Sequence, residues 1–187
     1  MKHIPLLTLA GATVLLTGCD SPALSLHPLY EDEDVVFEPR LLGSWSGQDQ
    51  GDVFTFAASP DKSYRLVWST SDKTHILRAR LVRLQRTLFL DLTADSTGEL
   101  FVLPVHAFAK IRLDGDVFHY ALLDSGWLER TLESNPAAVE AAWIGPRKTS
   151  GAILVARTGD LQDFVLCYEG DQGAFPPSEP LRRLGDR

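Results

Sequence analysis

The chain has 187 residues, of which 44% are hydrophobic and 23% charged, and these proportions are ordinary for one globular domain. They exclude a collagen-like, low-complexity or largely disordered chain. The net charge of -7 argues against a general nucleic-acid-binding protein, because such proteins need basic surface to displace counterions. Two cysteines are too few for a small scaffold built on disulfides.

The N-terminal segment has the pattern of a secretion signal. Lys2 precedes an uncharged, mostly aliphatic stretch at residues 4–16. This stretch is too short to span a bilayer as a helix, which needs about 20 residues, but it fits the apolar core of a signal peptide. Leu16-Thr17-Gly18-Cys19 follows at once. An aliphatic residue, a small residue, glycine and cysteine in this order resemble the lipobox of bacterial lipoproteins.

That resemblance implies that residues 1–18 are a signal peptide removed before Cys19, and that Cys19 carries diacylglycerol on its sulfur and an acyl group on its new N-terminus. Two or three acyl chains hold a protein on a membrane essentially permanently. We therefore expect a lipid anchor in the bacterial cell envelope, with the protein facing the periplasm. Asp20 resembles a signal for retention in the inner membrane and slightly favours that membrane. The alternative is an ordinary signal peptide followed by an accidental cysteine.

Residues 19–40 are expected to form the lipidated N-terminus and an extended tether. This segment contains three prolines and four consecutive acids at residues 31–34, which favour an extended, solvated chain. The four acids lack the ligand spacing and the turn glycine of a calcium loop. A single β-rich globular domain is expected over residues 41–187.

Apolar and polar residues alternate in seven segments between residues 41 and 122, as in antiparallel strands with one buried face. Turn-forming residues separate these segments, and Asp114-Gly115 is a good signal for a two-residue hairpin turn. If these two residues form the turn, His119 lies opposite Lys110. An eighth strand is predicted at residues 151–156.

The period changes to that of a helix after Leu123. Asp124 or Ser125 can cap a helix that ends at Ser134, before Asn135-Pro136. A second short helix is predicted at residues 136–143, and Thr158 is expected to cap a further one. The predicted fold is therefore mainly β, of the α+β kind. It is an antiparallel, barrel-like sheet of about eight strands with two or three helices in the C-terminal half.

Leu42-Gly43-Ser44-Trp45, at the first strand, resembles the Gly-x-Trp element of lipocalin-like barrels. In those proteins the tryptophan packs across the bottom of the barrel and the glycine allows close approach. The order of the lipobox, His27-Pro28-Leu29-Tyr30 and then this element also resembles a set of uncharacterised bacterial lipoproteins. That second resemblance implies location and architecture, and it carries no known activity.

The sequence shows no motif for catalysis, and neither a metal nor a cofactor is expected. It has no Gly-x-Ser-x-Gly elbow, His-Glu-x-x-His, Cys-x-x-Cys or glycine-rich phosphate loop. His106 and His119 are expected on the polar face of the sheet, more than about 10 Å apart and too far to share a metal. Cys167 is expected to be a buried, inert thiol, with an intermolecular disulfide as the alternative. The arginines of residues 78–86 are expected on a solvated face, with phosphate or lipid head groups as the alternative partners.

The predicted function is that of a non-catalytic binding or structural module on the membrane, with an envelope protein or a small apolar ligand as its partner. The alternative is a lipocalin-like carrier of a small apolar ligand. An eight-stranded barrel can either be filled by its own side chains or hold one such ligand. The residues expected to line a ligand cavity are Trp45, Phe54, Phe56, Trp68, Phe118 and Tyr120.

Overall fold

The computed structural model describes residues 21–47, 51–95, 104–145 and 151–185. Cys19 and Asp20, the residues on which lipid attachment and membrane choice were predicted, lie outside these ranges. The strands are β1 (Leu24–Ser25), β2 (Val35–Val36), β3 (Gly43–Ser46), β4 (Val53–Ala58), β5 (Ser63–Ser69), β6 (Thr74–Leu84), β7 (Thr87–Ala94), β8 (His106–Asp114), β9 (Val117–Leu122), β10 (Ala141–Trp143), β11 (Ala152–Leu154) and β12 (Leu181–Arg183). The helices are α1 (Ser125–Ser134) and α2 (Thr158–Cys167).

Eight antiparallel strands form a closed barrel. Strands β3 to β9 pair in sequence order, and β12 closes the circle by pairing with both β9 and β3. The predicted mainly β fold, with a barrel-like sheet of about eight strands and two helices in the C-terminal half, is confirmed. The closing strand differs from the prediction, because the segment at residues 151–156 forms β11 outside the barrel, and the closing strand β12 lies in a part of the chain where no strand was predicted.

The other four strands extend the sheet outside the barrel. Strand β1 pairs with the beginning of β8 and, in parallel, with β11, and β10 lies on the far side of β11. Strand β2 pairs with β6. Residues 136–140 form turns that lead into β10, so the short helix predicted at residues 136–143 is wrong.

Two hydrophobic cores share the strands from β6 to β9. One core fills the barrel, and the other lies between the outer face of these strands and the two helices. Phe89 and Leu90 are neighbours on β7 and are both buried, one in each core. Strands with two buried faces lose the polar half of their alternation.

Helix α1 begins as predicted. The Asp124 carboxylate accepts a hydrogen bond of 2.6 Å from the backbone N–H of Trp127, which is the usual N-cap contact. Helix α2 follows Arg157 without a side-chain cap, and the Thr158 hydroxyl instead donates to the carbonyl of Pro28. Each described helix has ten residues, and neither is long and apolar enough to cross a bilayer.

The predicted tether is wrong for residues 21–40, because this segment is part of the folded domain. Ala23, Leu29 and Val35 are buried, and Ala23 and Leu29 belong to the core that covers the outer face of the barrel. The Gln162 side-chain amide donates a hydrogen bond of 3.0 Å to the carbonyl of Leu29. The buried apolar residues stabilise this segment on the barrel more than its prolines and acids favour solvent.

The hairpin between β8 and β9 is shifted by two residues from the predicted register. Asp114 pairs with Val117, so Gly115 and Asp116 form the turn and His119 lies opposite Arg112 rather than Lys110. Gly115 has a φ of +57°, which glycine adopts without strain. A shift of two residues leaves every side chain on its predicted face.

Candidate functional site

An apolar cup opens at the end of the barrel where β4 begins and β5 ends. Its enclosed volume is about 30 Å³, room for about two water molecules. The lining is entirely apolar or aromatic: Phe54, Phe56, Leu66, Trp68, Leu77, Leu90, Leu92, Ala109, Phe118, Tyr120 and Leu122. Most of the barrel interior is therefore filled by its own side chains, and the remaining space suits a slender apolar group.

The structure brings together five of the six residues expected to line a ligand cavity. Phe54, Phe56, Trp68, Phe118 and Tyr120 all line the cup. They also contact one another, with ring centroids of Phe54 and Trp68 5.3 Å apart in a stacked arrangement. Burial raises the pKa of the Tyr120 phenol, so this hydroxyl is neutral near pH 7 and the cup carries no charge.

Trp45 does not line the cup, although its ring centroid lies 5.6 Å from that of Phe118, which does. The end of the barrel at which β3 begins and β4 ends is here called the closed end. The Trp45 side chain is fully buried, and its indole N–H donates 2.9 Å to the carbonyl of Leu41. The Arg183 guanidinium lies over the Trp45 ring and donates to the carbonyls of Arg40 and Leu42.

The close approach of Arg183 explains the glycine two residues before Trp45. Gly43 has a φ of +105°, and a Cβ built on it would lie 2.9 Å from Nη1 of Arg183. A side chain here would strain the backbone and displace the guanidinium. The Gly43-Ser44-Trp45 element thus serves barrel closure in this structure.

Trp68 carries a buried polar atom without a partner. Its indole Nε1 has no hydrogen-bond acceptor within the part of the chain that the structure describes, although Phe54 and His75 pack against the ring. A buried N–H without an acceptor costs about 1–3 kcal/mol. An unpartnered donor in the wall of a cup is the kind of group that an acceptor atom of a ligand could satisfy.

Asp91 and His106 form a buried pair on the outer face of the barrel. His106 Nδ1 lies 2.6 Å from one carboxylate oxygen of Asp91, and the other oxygen accepts 2.8 Å from the backbone N–H of Leu29. The side chains of His106 and Asp91 are 12% and 2% exposed. The expectation that His106 lies on the surface is wrong. An acid among the leucines of β7 was the available signal in the sequence.

A serine also faces this pair, but it is engaged elsewhere. Ser25 lies opposite His106 in the pairing of β1 with β8, and its hydroxyl donates 2.8 Å to the carbonyl of His27. Among the residues that the structure describes, no hydroxyl is bonded to the imidazole of His106. In this arrangement the Asp91–His106 pair holds the N-terminal segment on the barrel, rather than activating a nucleophile.

Arg80 is not a solvated arginine as predicted. Its guanidinium carbon lies 4.8 Å from the centroid of the Tyr30 ring, and its Nη1 donates to the Tyr30 hydroxyl. Burial is the main cause that raises the pKa of Tyr30. This contact is a second link between the N-terminal segment and the barrel.

Two predictions concern metal-binding residues and the free thiol. Among the described residues, no group of three or more His, Cys, Asp or Glu is arranged to hold a metal ion. Cys167 is exposed, so the expectation of a buried thiol is wrong. On α2 the buried residues are Leu161, Phe164 and Val165, and Cys167 projects from the edge of that face because successive helical residues turn by about 100°.

Comparison with known proteins finds no matching family model, no matching curated protein and no matching solved structure. A function for this chain therefore rests on its own residues and their arrangement.

Proposed function

We propose that the protein is a lipoprotein of the bacterial cell envelope, anchored at Cys19 and facing the periplasm, whose barrel is a non-catalytic binding or structural module. The observation that carries this proposal is the lipobox Leu16-Thr17-Gly18-Cys19 directly ahead of a fold that includes residue 21. Removal of residues 1–18 would take away none of the described strands or helices.

The start of the fold supports a short connection to the membrane. The Ser21 carbonyl accepts 3.1 Å from the backbone N–H of Ser125, and Pro22 is bridged to Asp124. Two residues of extended chain reach at most about 7 Å, which limits the distance between Ser21 and Cys19. A lipid on Cys19 would place the domain directly at the membrane surface.

The side chains that could act as a base or a nucleophile already form hydrogen bonds within the fold, which supports a role without catalysis. The Asp91–His106 pair holds backbone, the Ser25 hydroxyl is bonded to a carbonyl, and the cup is apolar and neutral. Such a cup can bind and orient an apolar group, but it offers no acid, base or nucleophile.

The anchor is tested by producing the full chain in a bacterium, with Cys19→Ser as the matched variant. We expect mature protein that begins at Cys19, is heavier than its polypeptide by the mass of the acyl groups, and sediments with membranes. The Cys19→Ser variant should keep residues 1–18. An unmodified Cys19 in the mature protein would overturn the anchor.

A carrier of a small apolar ligand is the second candidate, and the cup with its unpartnered Trp68 N–H favours it. The volume of about 30 Å³ restricts the occupant to a slender group such as the end of an alkyl chain. Native mass spectrometry of the chain from residue 20 tests it. A reproducible added mass that is lost in Ala109→Phe, which fills the cup, would support the carrier. A mass equal to that of the polypeptide, with no uptake of added fatty acid, would oppose it.

A further inference from the structure

A wide groove runs along the outer face of the barrel near the closed end. Its volume is about 530 Å³, within the range of typical ligand sites. Strands β7, β8 and β9 form its floor, and residues 172–178 form one wall. This groove lies outside the barrel interior and shares Tyr120 with the cup.

The polar lining of the groove is strongly basic. Arg40, Arg86, Lys110, Arg112 and His119 line it, and no Asp or Glu among the described residues does so. The whole chain carries a net charge of -7, and the loss of Lys2 with the first 18 residues would make it -8. The charge of the groove is thus opposite in sign to the net charge of the protein, whose surface as a whole carries more carboxylates than basic groups.

Register brings several of these groups close together. Arg112 and His119 are directly opposite each other on β8 and β9, so their Cβ atoms lie about 5 Å apart. Lys110 lies two residues before Arg112 on the same face, about 7 Å along the strand. Arg86 is in the turn between β6 and β7 and directly precedes the first residue of β7, the strand that pairs with β8.

Most of the basic side chains in the groove are not neutralised by any carboxylate that the structure describes. Arg86 and His119 form no hydrogen bond or ion pair with any residue of the described ranges. Arg112 contacts Asp114 at 3.3 Å, and both side chains are more than half exposed, so this pair is weak. Lys110 donates to the carbonyl of Glu169, a neutral acceptor. The charge of Arg40, in contrast, is offset by Glu38.

Apolar surface lies beside the cations. Phe175 is buried against Phe89, and the Lys110 ammonium lies 5.6 Å from the centroid of its ring. Phe175 and Ala121 are almost fully buried, and the exposed Pro177 provides apolar surface along the groove. The groove therefore offers hydrogen-bond donors to an anionic group of a ligand and apolar contacts to a hydrocarbon part of the same ligand.

We propose that this groove binds the phosphate group of an amphiphilic phosphate ester. Guanidinium groups match phosphate oxygens in geometry and charge, and the Lys110 ammonium and an imidazole N–H of His119 add donors. The inference goes beyond the proposed function and does not depend on a lipid at Cys19.

Two sources share this chemistry, the head group of a membrane phospholipid and a free phosphate ester. The position of Ser21 makes the first source testable in particular. Ser21 and Phe175 both adjoin residues 124–125, because Ser125 N–H donates to the carbonyl of Ser21 and Asp124 N–H donates to that of Ala174. The Phe175 edge of the groove therefore lies beside the residues that contact Ser21, whereas His119 lies five residues before Asp124 along the chain, towards the start of β9.

The test uses the chain from residue 20, which keeps every described residue and lacks the anchor. The groove variant is Arg86→Gln with Arg112→Gln. The matched control is Arg65→Gln with Lys73→Gln, which removes the same charge from exposed positions on β5 and the turn after it. Circular dichroism and thermal melting confirm that both variants are folded. Binding is measured to inorganic phosphate, to octyl phosphate, and to phosphatidylcholine vesicles with and without phosphatidylglycerol.

We expect binding that the groove variant weakens by about tenfold or more and the control leaves within about twofold, since two charge-assisted contacts are lost. Binding of octyl phosphate in solution identifies a free ester as a sufficient ligand. Binding to phosphatidylglycerol vesicles without binding of octyl phosphate identifies the lipid head group. No binding to any probe overturns the proposal, and so does binding that the two double variants weaken equally. These outcomes are independent of the state of Cys19, because that residue is absent.

Discussion

The guanidinium carbon of Arg183 lies 4.2 Å from the centroid of the Trp45 ring, and this contact joins β12 to β3 at the closed end. The same guanidinium donates to two backbone carbonyls before β3 and contacts Asp116 at 3.3 Å. One side chain thus connects β3, residues 40–42 just before it, and the turn between β8 and β9.

Replacing Arg183 by alanine should destabilise the fold by about 2–3 kcal/mol. The change removes a cation–π contact and leaves two carbonyls without their donor. Urea unfolding of Arg183→Ala, compared with the neighbouring exposed Arg182→Ala, measures this effect. The control should change stability by less than about 0.5 kcal/mol. Equal effects of the two changes would show that closure does not depend on Arg183.

The Asp91 carboxylate should be essential for holding the N-terminal segment. Asp91→Ala leaves the N–H of Leu29 and the imidazole of His106 unpaired in a buried site, which we expect to cost about 2–4 kcal/mol. Hydrogen exchange at Leu29 should accelerate more than exchange in the barrel. Asp163→Ala, an exposed change on α2, is the control. Unchanged protection of Leu29 would contradict this assignment.

Glu38 gives a pH dependence with a defined sign. Hydrogen bonds from Arg40 lower the pKa of the Glu38 carboxyl from its ordinary value of 4.5 to about 2. A carboxyl with a lowered pKa in the folded state stabilises the fold above about pH 4.5, and this contribution disappears as the pH falls towards 2. In Arg40→Gln, NMR titration should show the pKa of Glu38 rising towards 4.5. A pKa that stays near 2 would assign the shift to another group.

Trp45 and Trp68, the first buried and the second partly buried in the barrel, should respond differently to replacement by phenylalanine. Trp45→Phe removes a hydrogen bond to the Leu41 carbonyl, whereas Trp68→Phe removes an N–H that has no acceptor. We therefore expect Trp45→Phe to cost about 1–2 kcal/mol more than Trp68→Phe in chemical denaturation. A larger loss in Trp68→Phe would indicate that its N–H has a partner in solution.

Local patterns in the sequence predicted most of the barrel. Alternation located seven of its strands, and Asp124 with Asn135-Pro136 gave the limits of α1, because these signals depend on neighbouring residues. Strand β12 could not be predicted in this way. It has three residues, and Leu181 is its single buried position, so its pairing with β3 and β9 is set by the rest of the barrel.

The candidate site was predicted in part. Alternation places Phe54, Phe56, Trp68, Phe118 and Tyr120 on one face, and closure of the sheet then brings them to one cup. Sequence patterns could not reveal that the outer face is also covered. That covering removes His106 and Arg80 from solvent and brings the N-terminal segment onto the barrel. Such contacts join residues that are far apart in the chain, and they produce no recognisable pattern among neighbouring residues of the sequence.

The pairing of β12 with β3 also constrains when the barrel forms. Arg182 lies beside Ser46 although the two are about 140 residues apart in the chain, and contacts between distant residues slow folding. Until residues 181–183 have been synthesised, β3 and β9 therefore remain without the strand that joins them. Closure of the barrel is thus set by one of the last parts of the chain to be made, and the earlier strands can pair with their sequence neighbours before that point.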